Sequence, residues 1–503
     1  MVSDNVKKSF VIIFMIAILL PGIQKELMLF KITPLSENRV KAELPDGGFI
    51  PNLLEGKESF THKYEQYYND NFGYRDFLIK LKNQIDYSLF NVSDKVFIGK
   101  DGFLFYKPAD EVELPQLDRK TDEQMSTLFG RFAKFDEELK SKGIQLLLVP
   151  IPSKSSIYPN EFMAKIKRPE VNGFDKFMNH LRNSDIQYVD TKKVLLDLKK
   201  NYQTYYKTDF HYNAISEYVV SNEIARKLNS LTENNLTINN DFKFLTEKNW
   251  AGGENIQMGL FKKLTEDIPV IQNNWTDCGK TLIPNSVYRF SHLSDNSCKN
   301  VLPKTLLIGN SFTGHFSDYS FPHYFSEINS IHSDIFKRTP SFLDKDTKFV
   351  VLQLLENDLG TIYSDAAFWP NNGTISTGPL VDGTMSDIEI MEYPSELPVG
   401  VTGTLKVKVT NRSQITWPAI GQVDGGFLIN LGYYYQTYNE ERREGRSGLL
   451  PQDVQPGSSV IIEGKLGPFL EKGKFEINID LVQEGFKWFS DGKDMKKIKV
   501  RVF

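Results

Sequence analysis

The chain has 503 residues, of which 40% are hydrophobic, 25% charged and 13% aromatic, and its formal net charge is −4. These values are typical of globular domains and exclude bulk disorder, a fibrous repeat and a polytopic membrane protein. The near-neutral charge balance gives no basic footprint for nucleic acid. At ~100–200 residues per domain, the length predicts about two to four folding units.

A short apolar run follows a basic pair near the start of the chain. Lys7 and Lys8 precede an uncharged stretch over residues 10–23, and residues 24–26 return the sequence to polar character. A basic start, a short apolar core and a polar return describe an export signal. The run is shorter than the ~20 residues of a full span, although flanking residues can extend it. We expect residues 1–30 to be an uncleaved signal anchor, with a cleaved signal peptide as the alternative. The rest of the chain would lie in the periplasm, held at the inner membrane.

The next segments indicate a connecting region followed by a helix and a hairpin. Residues 31–60 are irregular and contain three prolines. From Tyr64 to Leu89, apolar and aromatic positions recur every three and four residues, which predicts a helix. Between Val96 and Tyr106, an Asp-Gly pair separates two apolar runs and predicts a tight hairpin.

From about residue 120, helical and strand patterns alternate. Thr121 to Lys142 is amphipathic and is followed by Gly143, a typical helix stop. Further strands are predicted at 144–149 (ended by Pro150), 186–189, 305–308 and 349–354, and a helix at 215–228. Near-continuous apolar strands separated by helices indicate an α/β fold with a parallel sheet covered on both faces.

After about residue 380 the pattern changes to short strands separated by turns. The strands are predicted at 387–391, 403–410, 426–435, 459–466, 474–482 and 496–503. No helical period occurs in this region, and the spacing predicts an all-β sandwich over residues 386–503. We expect the boundary within the Gly/Ser/Thr-rich segment 370–385, which makes residues 31–380 the preceding domain.

Ser311 is the strongest candidate nucleophile. It follows the buried strand Leu306-Leu307-Ile308 and the pair Gly309-Asn310. Its hydroxyl would therefore stand at the carboxyl end of a parallel sheet, where sites form in α/β folds. Backbone N–H groups at such a turn can stabilise a developing oxyanion. The alternative is that Ser311 only caps the following helix.

His211 is the candidate base, and Asp209 the candidate acid that orients it. A carboxylate two residues before an imidazole can fix its tautomer and stabilise the imidazolium. His315 and His323 are rival bases because they lie close to Ser311 in the sequence. Asp209 and His211 could instead bind a metal ion, but no second ligand pair of a known metal motif accompanies them.

Six sequence blocks resemble one known family. GNSF around Ser311 and TDFHYN around Asp209 and His211 resemble the serine and Asp-x-His blocks of the alginate O-acetyltransferases of AlgX/AlgJ type. The supporting blocks, in family order, are YNDNFGYR (68–75), VFIGKDGFLFY (96–106), VPIPSKSSIYP (149–159) and VVLQLLEN (350–357). The resemblance implies an SGNH-hydrolase-like fold for the first domain.

The resemblance also implies a reaction. Ser311 would be acetylated, His211 would activate it, and Asp209 would orient the imidazole. The acetyl group would then pass to a hydroxyl of an exported polysaccharide. No bound cofactor or metal is expected, and a membrane-bound O-acyltransferase partner would supply the acetyl group. The alternatives are an acetyl esterase using the same triad, and a non-catalytic protein that binds or assembles a polysaccharide.

Several positions depart from the family or leave roles open. Tyr212 stands where the family usually has Trp, so the sugar platform would differ, and Asn310 replaces the Asp of the commoner G-D-S. Lys154 could contact substrate or simply be solvated. The candidates for a second oxyanion donor, each with a structural alternative, are Gly253, Asn255 and Asn357.

The cysteines and the C-terminal aromatic residues complete the expectations. Export favours a disulfide between Cys278 and Cys298. The C-terminal region resembles immunoglobulin-like sandwiches of bacterial polysaccharide enzymes, which makes it a possible carbohydrate-binding module. The residues of interest in this region are Trp417, Arg446 and Trp488. Exposed tryptophans would stack on sugars, although tryptophans in sandwiches are more often part of the core.

Overall fold

The computed structural model describes residues 4–37, 41–45, 58–163, 166–232, 234–238, 241–272, 278–282, 287–295, 297–370, 373–436, 442–490 and 495–503. The helices are α1 (Asp4–Leu27), α2 (Glu58–Asn71), α3 (Arg75–Ile85), α4 (Leu114–Asp118), α5 (Asp122–Ser141), α6 (Lys154–Ile157), α7 (Gly173–Arg182), α8 (Thr191–Lys199), α9 (Ala214–Asn229), α10 (Gly253–Met258) and α11 (Glu356–Gly360). Strands β1 to β11 are Val96–Ile98, Leu104–Tyr106, Gln145–Ile151, Gln187–Tyr188, Phe244–Trp250, Glu266–Ile271, Lys280–Leu282, Tyr288–Leu293, Thr305–Gly309, Glu327–His332 and Phe349–Leu355. Strands β12 to β20 are Ser386–Glu392, Glu396–Leu397, Gly403–Asn411, Ile429–Gln436, Arg442–Leu449, Ser459–Leu466, Gly473–Gln483, Lys487–Trp488 and Lys496–Val502.

The N-terminal helix α1 is apolar and largely exposed. Its segment Val6–Leu27 is long and apolar enough to cross a membrane, a test that a signal sequence also passes. The helix is longer than the apolar core at 10–23, because the polar residues on either side continue it. The N-terminal segment is therefore an apolar helix suited to a signal or an anchor.

The predicted helix from Tyr64 to Leu89 is two helices. It breaks between α2 and α3 at residues 72–74, and the turn Asp86–Phe90 follows α3. The hairpin is confirmed, since β1 and β2 pair antiparallel with Val96 opposite Tyr106. In its turn, Asp101 and Gly102 have φ angles of 54° and 82°, a conformation that favours Asp and Gly.

A seven-stranded sheet forms the body of the first region. Its order is β4-β3-β11-β9-β10-β8-β7. The first five strands in this order pair in parallel, whereas β8 pairs antiparallel with β10 on one side and with β7 on the other. The sheet is therefore mixed and mostly parallel. Strand β3 also continues through Pro150 to Ile151, although Pro150 was expected to end it. Proline fits there because β4 pairs only as far as Leu148, so the missing N–H faces no neighbouring strand.

Hydrophobic side chains cover both faces of this sheet. One face packs against α9 and the segment after β9, and the other against α5 and α7. The central strands β9 and β11 are fully buried. Their carboxyl ends lie at one edge of the sheet, together with that of β3.

The C-terminal region is all-β. The three-stranded sheet β12-β14-β17 and the sheet β13-β20-β18-β15-β16 enclose one hydrophobic core. The α/β sheet followed by all-β sheets confirms the predicted fold class. Strand β16 was not predicted, because its sequence RREGRSGL lacks an apolar alternation. Trp417 lies in the core and is fully buried, whereas Trp488 is half-buried.

The segment expected to contain the domain boundary bonds to the all-β region. Ser376 N–H donates to Ile420 O at 2.8 Å, and Leu380 N–H donates to Gln483 Oε1 at 2.8 Å. From the preceding region, Ser341 Oγ donates to Gly421 O at 2.9 Å. The division into residues 31–380 and 386–503 stays a prediction.

Candidate active site

Three side chains form one line of hydrogen bonds at the carboxyl end of the sheet. His211 Nδ1 lies 2.6 Å from Asp209 Oδ1, and His211 Nε2 lies 2.7 Å from Ser311 Oγ. Ser311 is exposed and His211 is half-buried, so a substrate can reach both. The structure therefore brings together the three residues that the sequence selected, with the imidazole between the other two. Their catalytic roles remain a prediction.

The turn that presents Ser311 is held from several sides. Gly309 ends β9, and a β-carbon at Gly309 would lie 2.6 Å from Thr313 Cγ2, so only glycine fits without displacing that side chain. Asn310 Oδ1 accepts from Phe312 N–H at 3.0 Å, and Asn310 N–H donates to Gln353 Oε1 at 3.1 Å. Asn310 is therefore a turn-forming residue, consistent with its replacing the Asp of the commoner motif.

The Asp209 carboxylate is held as an acceptor. Its Oδ2 accepts from Gly253 N–H at 2.6 Å, and its Oδ1 also accepts from His211 N–H at 3.0 Å. Burial alone would raise the pKa of Asp209, but hydrogen bonds to His211 and Gly253 and the charge of His211 lower it to about 2. Asp209 is therefore ionised and oriented towards the imidazole at neutral pH.

The backbone of the Asp209 loop is clamped by the buried Lys154 and the half-buried Glu266. Lys154 Nζ donates to the carbonyl oxygens of Leu104, Lys207 and Asp209 at 2.5, 2.9 and 2.8 Å. Glu266 accepts from the N–H groups of Lys207 and Thr208 at 2.9 and 2.6 Å. Neither suggested role of Lys154 is found, since its ammonium is buried and bonded to backbone. Burial lowers the pKa of Lys154, while neighbouring carboxylates oppose that shift.

Two of the three candidates for a second oxyanion donor use their N–H groups in structural hydrogen bonds. Gly253 N–H donates to Asp209, as described above. Asn255 Oδ1 accepts from Leu264 N–H at 2.7 Å, while its buried Nδ2 has no hydrogen-bond partner within the described residues. Asn357 Nδ2 donates to Glu113 Oε2 at 2.9 Å. By contrast, Ser311 N–H makes no hydrogen bond within the described residues.

The rival bases bond elsewhere. His315 Nδ1 lies 3.0 Å from Asp318 Oδ2 on the surface, and His323 Nδ1 lies 2.9 Å from Cys278 O. Cys278 forms the expected disulfide with Cys298, with their Cα atoms 5.3 Å apart. Within the described residues, no group of three or more His, Cys, Asp or Glu side chains could hold a metal ion.

Aromatic rings surround the imidazole. The ring centroids of His211 and Phe312 are 4.7 Å apart, and Phe210 contacts both Phe312 and Tyr106 with centroids 5.3 Å apart. Tyr212 is buried, and its hydroxyl donates to Phe312 O. Tyr212 therefore holds the Ser311 turn from the protein interior, and it is not an exposed platform for a sugar.

Three residues that support this site were not selected from the sequence. They are Glu266, Gln353 and Arg289, whose Nη1 donates to Asn310 O and to Thr313 Oγ1. Glu266 and Arg289 lie outside every motif and block found in the sequence, and only the chain fold brings them to the site. VVLQLLEN did include Gln353, but the pattern gave that residue no role.

Residues 96–335 match the family described as the SGNH hydrolase-like domain of acetyltransferase AlgX. This domain belongs to the AlgX/AlgJ-type SGNH hydrolase-like acetyltransferase family. All three side chains of the line lie inside the matched range, which covers less than half of the chain. The resemblance predicted from the sequence blocks is confirmed.

Two curated relatives are similar to part of the chain. The probable alginate O-acetylase AlgJ of Pseudomonas aeruginosa is 26% identical over 183 residues, which cover 35% of this chain and 44% of that protein. Its namesake from Pseudomonas fluorescens is 24% identical over 189 residues, which cover 36% and 46%. The chain thus spans less than half the length of these relatives. The solved O-acetyltransferase domain of Pseudomonas putida AlgJ has 14% identity and a TM-score of 0.37, over 53% of this chain and 92% of that one.

Proposed function

We propose that the protein is an extracytoplasmic O-acetyltransferase that moves an acetyl group, through acetylated Ser311, onto hydroxyls of an exported polysaccharide. The observation that carries this proposal is the position of His211, 2.6 Å from Asp209 and 2.7 Å from Ser311 within the AlgX-type domain. The names of the related proteins support acetylation of a polysaccharide of the alginate class.

The first half of the reaction acetylates the serine. With Nδ1–H donating to Asp209, the lone pair of His211 Nε2 accepts the Ser311 hydroxyl proton as Oγ attacks the acetyl carbonyl carbon. The carbonyl oxygen becomes an oxyanion. The backbone N–H of Ser311 itself belongs to the attacking residue and makes no other hydrogen bond within the described residues, so it can donate to this oxyanion. Collapse breaks the bond to the leaving oxygen of the donor, which takes the proton from Nε2.

The second half transfers the acetyl group. A sugar hydroxyl gives its proton to His211 Nε2 and attacks the acetyl carbon of acetylated Ser311. Ser311 Oγ then leaves and recovers the proton, so enzyme and proton balance are restored. Water in place of the sugar would make the same site an acetyl esterase, and the outcome depends on which hydroxyl is bound.

An extracytoplasmic location of the protein would require that its acetyl donor is delivered at the membrane. The apolar helix α1 is suited to a signal or anchor, and the Cys278–Cys298 disulfide fits an oxidising compartment. Acetyl-CoA is cytoplasmic, so a membrane-bound O-acyltransferase partner would hand the acetyl group across. The protein itself would then need no bound cofactor.

A single assay separates the transferase from its alternatives. The full chain is incubated with a small acetyl ester and a polysaccharide fragment, and acetylated sugar and free acetate are both measured. Acetylated sugar supports the transferase, free acetate alone indicates an esterase, and neither indicates a binding protein. Ser311→Ala should abolish both products, whereas Ser317→Ala, at a partly exposed serine in the same segment, should abolish neither. Mass spectrometry of the quenched enzyme should find the acetyl group on Ser311.

A further inference from the structure

Helix α3 presents its apolar side away from the protein. Phe77, Leu78, Leu81 and Ile85 form an apolar stripe on this helix, and they are 40%, 49%, 38% and 42% exposed. They lie three or four residues apart or adjacent, so they share one side of a helix with about 100° between successive residues. In a helix of a globular protein, such a side normally faces the core.

The polar side of α3 makes the contacts with the protein. Asp76 Oδ2 accepts from Leu35 N–H at 3.3 Å, Lys80 is buried, and Asn83 Nδ2 donates to Met258 O at 2.7 Å. Positions 76, 80 and 83 lie roughly opposite the apolar stripe on the helix. The helix is therefore attached to the protein through its polar side, and its apolar side stays exposed.

The exposed apolar surface extends beyond the stripe. Leu89 and Phe90, in the turn after α3, are 73% and 66% exposed, and Phe261 packs on Phe77 with ring centroids 5.4 Å apart. Contiguous apolar surface of this kind marks a protein or membrane interaction site.

The start of α3 lies against the end of the N-terminal helix. A β-carbon on Gly73 would lie 2.1 Å from Pro21 O and 2.8 Å from Lys25 N, so this backbone touches the last turns of α1. Lys25 Nζ also donates to Tyr67 OH on α2. The segment that leads into α3 is thus fixed at the end of the apolar helix, where a bilayer surface would be.

We propose that the apolar stripe of α3 lies in the lipid surface of the bilayer that holds α1. An amphipathic helix lies in the plane of the interface with its apolar side among the acyl chains and its polar side towards water or protein. Here the polar side of α3 is bonded to the region that contains Ser311, through Asn83 and Met258 O, so α3 would fix the orientation of that region relative to the membrane. Continuity with α1 favours lipid over a second copy of the chain as the occupant.

Lipid contact is testable by tryptophan quenching. The full chain is reconstituted in phosphatidylcholine and phosphatidylglycerol vesicles that contain brominated phosphatidylcholine, which quenches nearby tryptophans. Leu81→Trp tests the stripe, and Ile85→Trp replaces it if Leu81→Trp fails to fold. Leu470→Trp, at a 70% exposed position of the all-β region, is the matched control. The emission added by each substitution is compared with the parent protein.

The expected result is loss of the added emission at position 81 or 85 and little loss at position 470. Equal, weak quenching at the stripe and at position 470 would overturn the proposal. Emission that is shifted to shorter wavelength but unquenched, and that depends on the protein-to-lipid ratio, would also overturn it and indicate a second copy. Phe14→Trp in α1 reports separately on the anchor, so failure of anchoring is distinguishable from failure of stripe contact.

Discussion

Lys154 Nζ donates to the carbonyl oxygen of Asp209 at 2.8 Å, across 55 residues of sequence. The same ammonium donates to Leu104 O and Lys207 O, so all three of its protons are used. An ammonium so deeply buried needs this full set of acceptors to offset its lost hydration. Lys154 therefore joins the β1–β2 hairpin to the loop that carries Asp209 and His211.

Replacing Lys154 should impair turnover more than substrate binding. Lys154→Met keeps the length of the side chain but removes the donors, which frees the Asp209 loop to shift relative to Ser311. A displacement of ~1 Å can cost about 10²-fold in rate, so kcat for a small acetyl ester should fall by about that factor with KM nearly unchanged. Steady-state kinetics of the folded variant measure both constants.

The matched control for Lys154 is Lys199→Met. Lys199 Nζ also donates to a backbone carbonyl, Ile157 O at 2.8 Å, and lies 4.0 Å from the Tyr158 ring centroid, but it does not contact the Asp209 loop. Its kcat should stay close to that of the parent protein. Equal loss of kcat in both variants, or a loss that only follows unfolding, would contradict a positioning role for Lys154.

Gly252 should tolerate no side chain. A β-carbon there would lie 2.2 Å from Thr208 O and 2.5 Å from Thr208 C, and these are backbone atoms that cannot rotate away. Gly252→Ala should push the Asp209 loop outward and lower kcat/KM by ~10²-fold. The overpacking should also lower the free energy of unfolding by about 1–3 kcal/mol.

Gly130→Ala is the control for that substitution. Gly130 lies inside α5 with no atom within 4 Å of its β-carbon position, so alanine should raise stability by about 0.5–1 kcal/mol and leave activity unchanged. Melting temperature and ester turnover are measured on both variants. Parent-like turnover in Gly252→Ala would show that the loop can move without loss of the hydrogen-bonded line.

Local patterns in the sequence were sufficient to predict the site residues as candidates. Ser311 follows a buried strand, and Asp209 and His211 share a short motif, so residue type and spacing identify them. The clamp was not predictable in this way. Lys154 and Glu266 meet the Asp209 loop only because the end of β3 and the start of β6 lie near it, and neither residue carries a local signal for that contact.

The strands show the same limit. Buried strands such as β9 and β11 were predicted because unbroken apolar runs need burial on both faces. The edge strand β16 was missed because it is half exposed and rich in arginine and glycine. The antiparallel pairing of β8 with β10 and with β7 also depends on long-range contacts, which apolar periodicity does not encode.

Glu217 should make stability depend on pH. It lies on α9, 5% exposed, where its Oε1 accepts from His315 N–H at 2.9 Å. Burial raises its pKa from 4.5 to about 7, with His315 opposing the shift. Between those two pH values the folded state keeps a proton that the unfolded state loses. Its contribution to the free energy of unfolding therefore falls as pH rises from 4.5 to 7.

Glu217→Gln should remove that dependence. The amide keeps an acceptor for His315 N–H, so the variant should gain stability relative to the parent between pH 4.5 and 7.5, by up to about 3 kcal/mol. Denaturation of the full chain in detergent at both pH values measures the difference. Glu223→Gln on the same helix, at a more exposed position, is the control. An unchanged pH dependence in Glu217→Gln would contradict this assignment.

Trp488 lies flat on the outer face of the all-β region. A β-carbon on Gly432 would lie 2.7 Å from Trp488 Cη2, so one face of the indole rests on the Gly432 backbone. The Tyr434 ring meets its edge with centroids 5.5 Å apart, and the Arg446 guanidinium carbon lies 5.2 Å from the Trp488 ring centroid. The Arg442 guanidinium carbon also lies over this ring, 5.5 Å from its centroid. A polysaccharide that reaches the half-buried indole would therefore meet it together with these two arginines.

If residues 386–503 bind the polysaccharide, Trp488→Ala should weaken use of the polymer and spare the small ester. The ester reaches only Ser311, whereas a long polymer can contact both regions at once, and losing one contact lowers its effective concentration. A stacking contact of ~1 kcal/mol predicts a rise of about 5-fold in KM for the polymer with unchanged ester kinetics. Tyr393→Ala, at a 40% exposed position after β12 in the other sheet, should change neither substrate. Equal loss on ester and polymer would mean that the all-β region shapes the Ser311 site itself, and unchanged KM for the polymer would remove Trp488 from its binding surface.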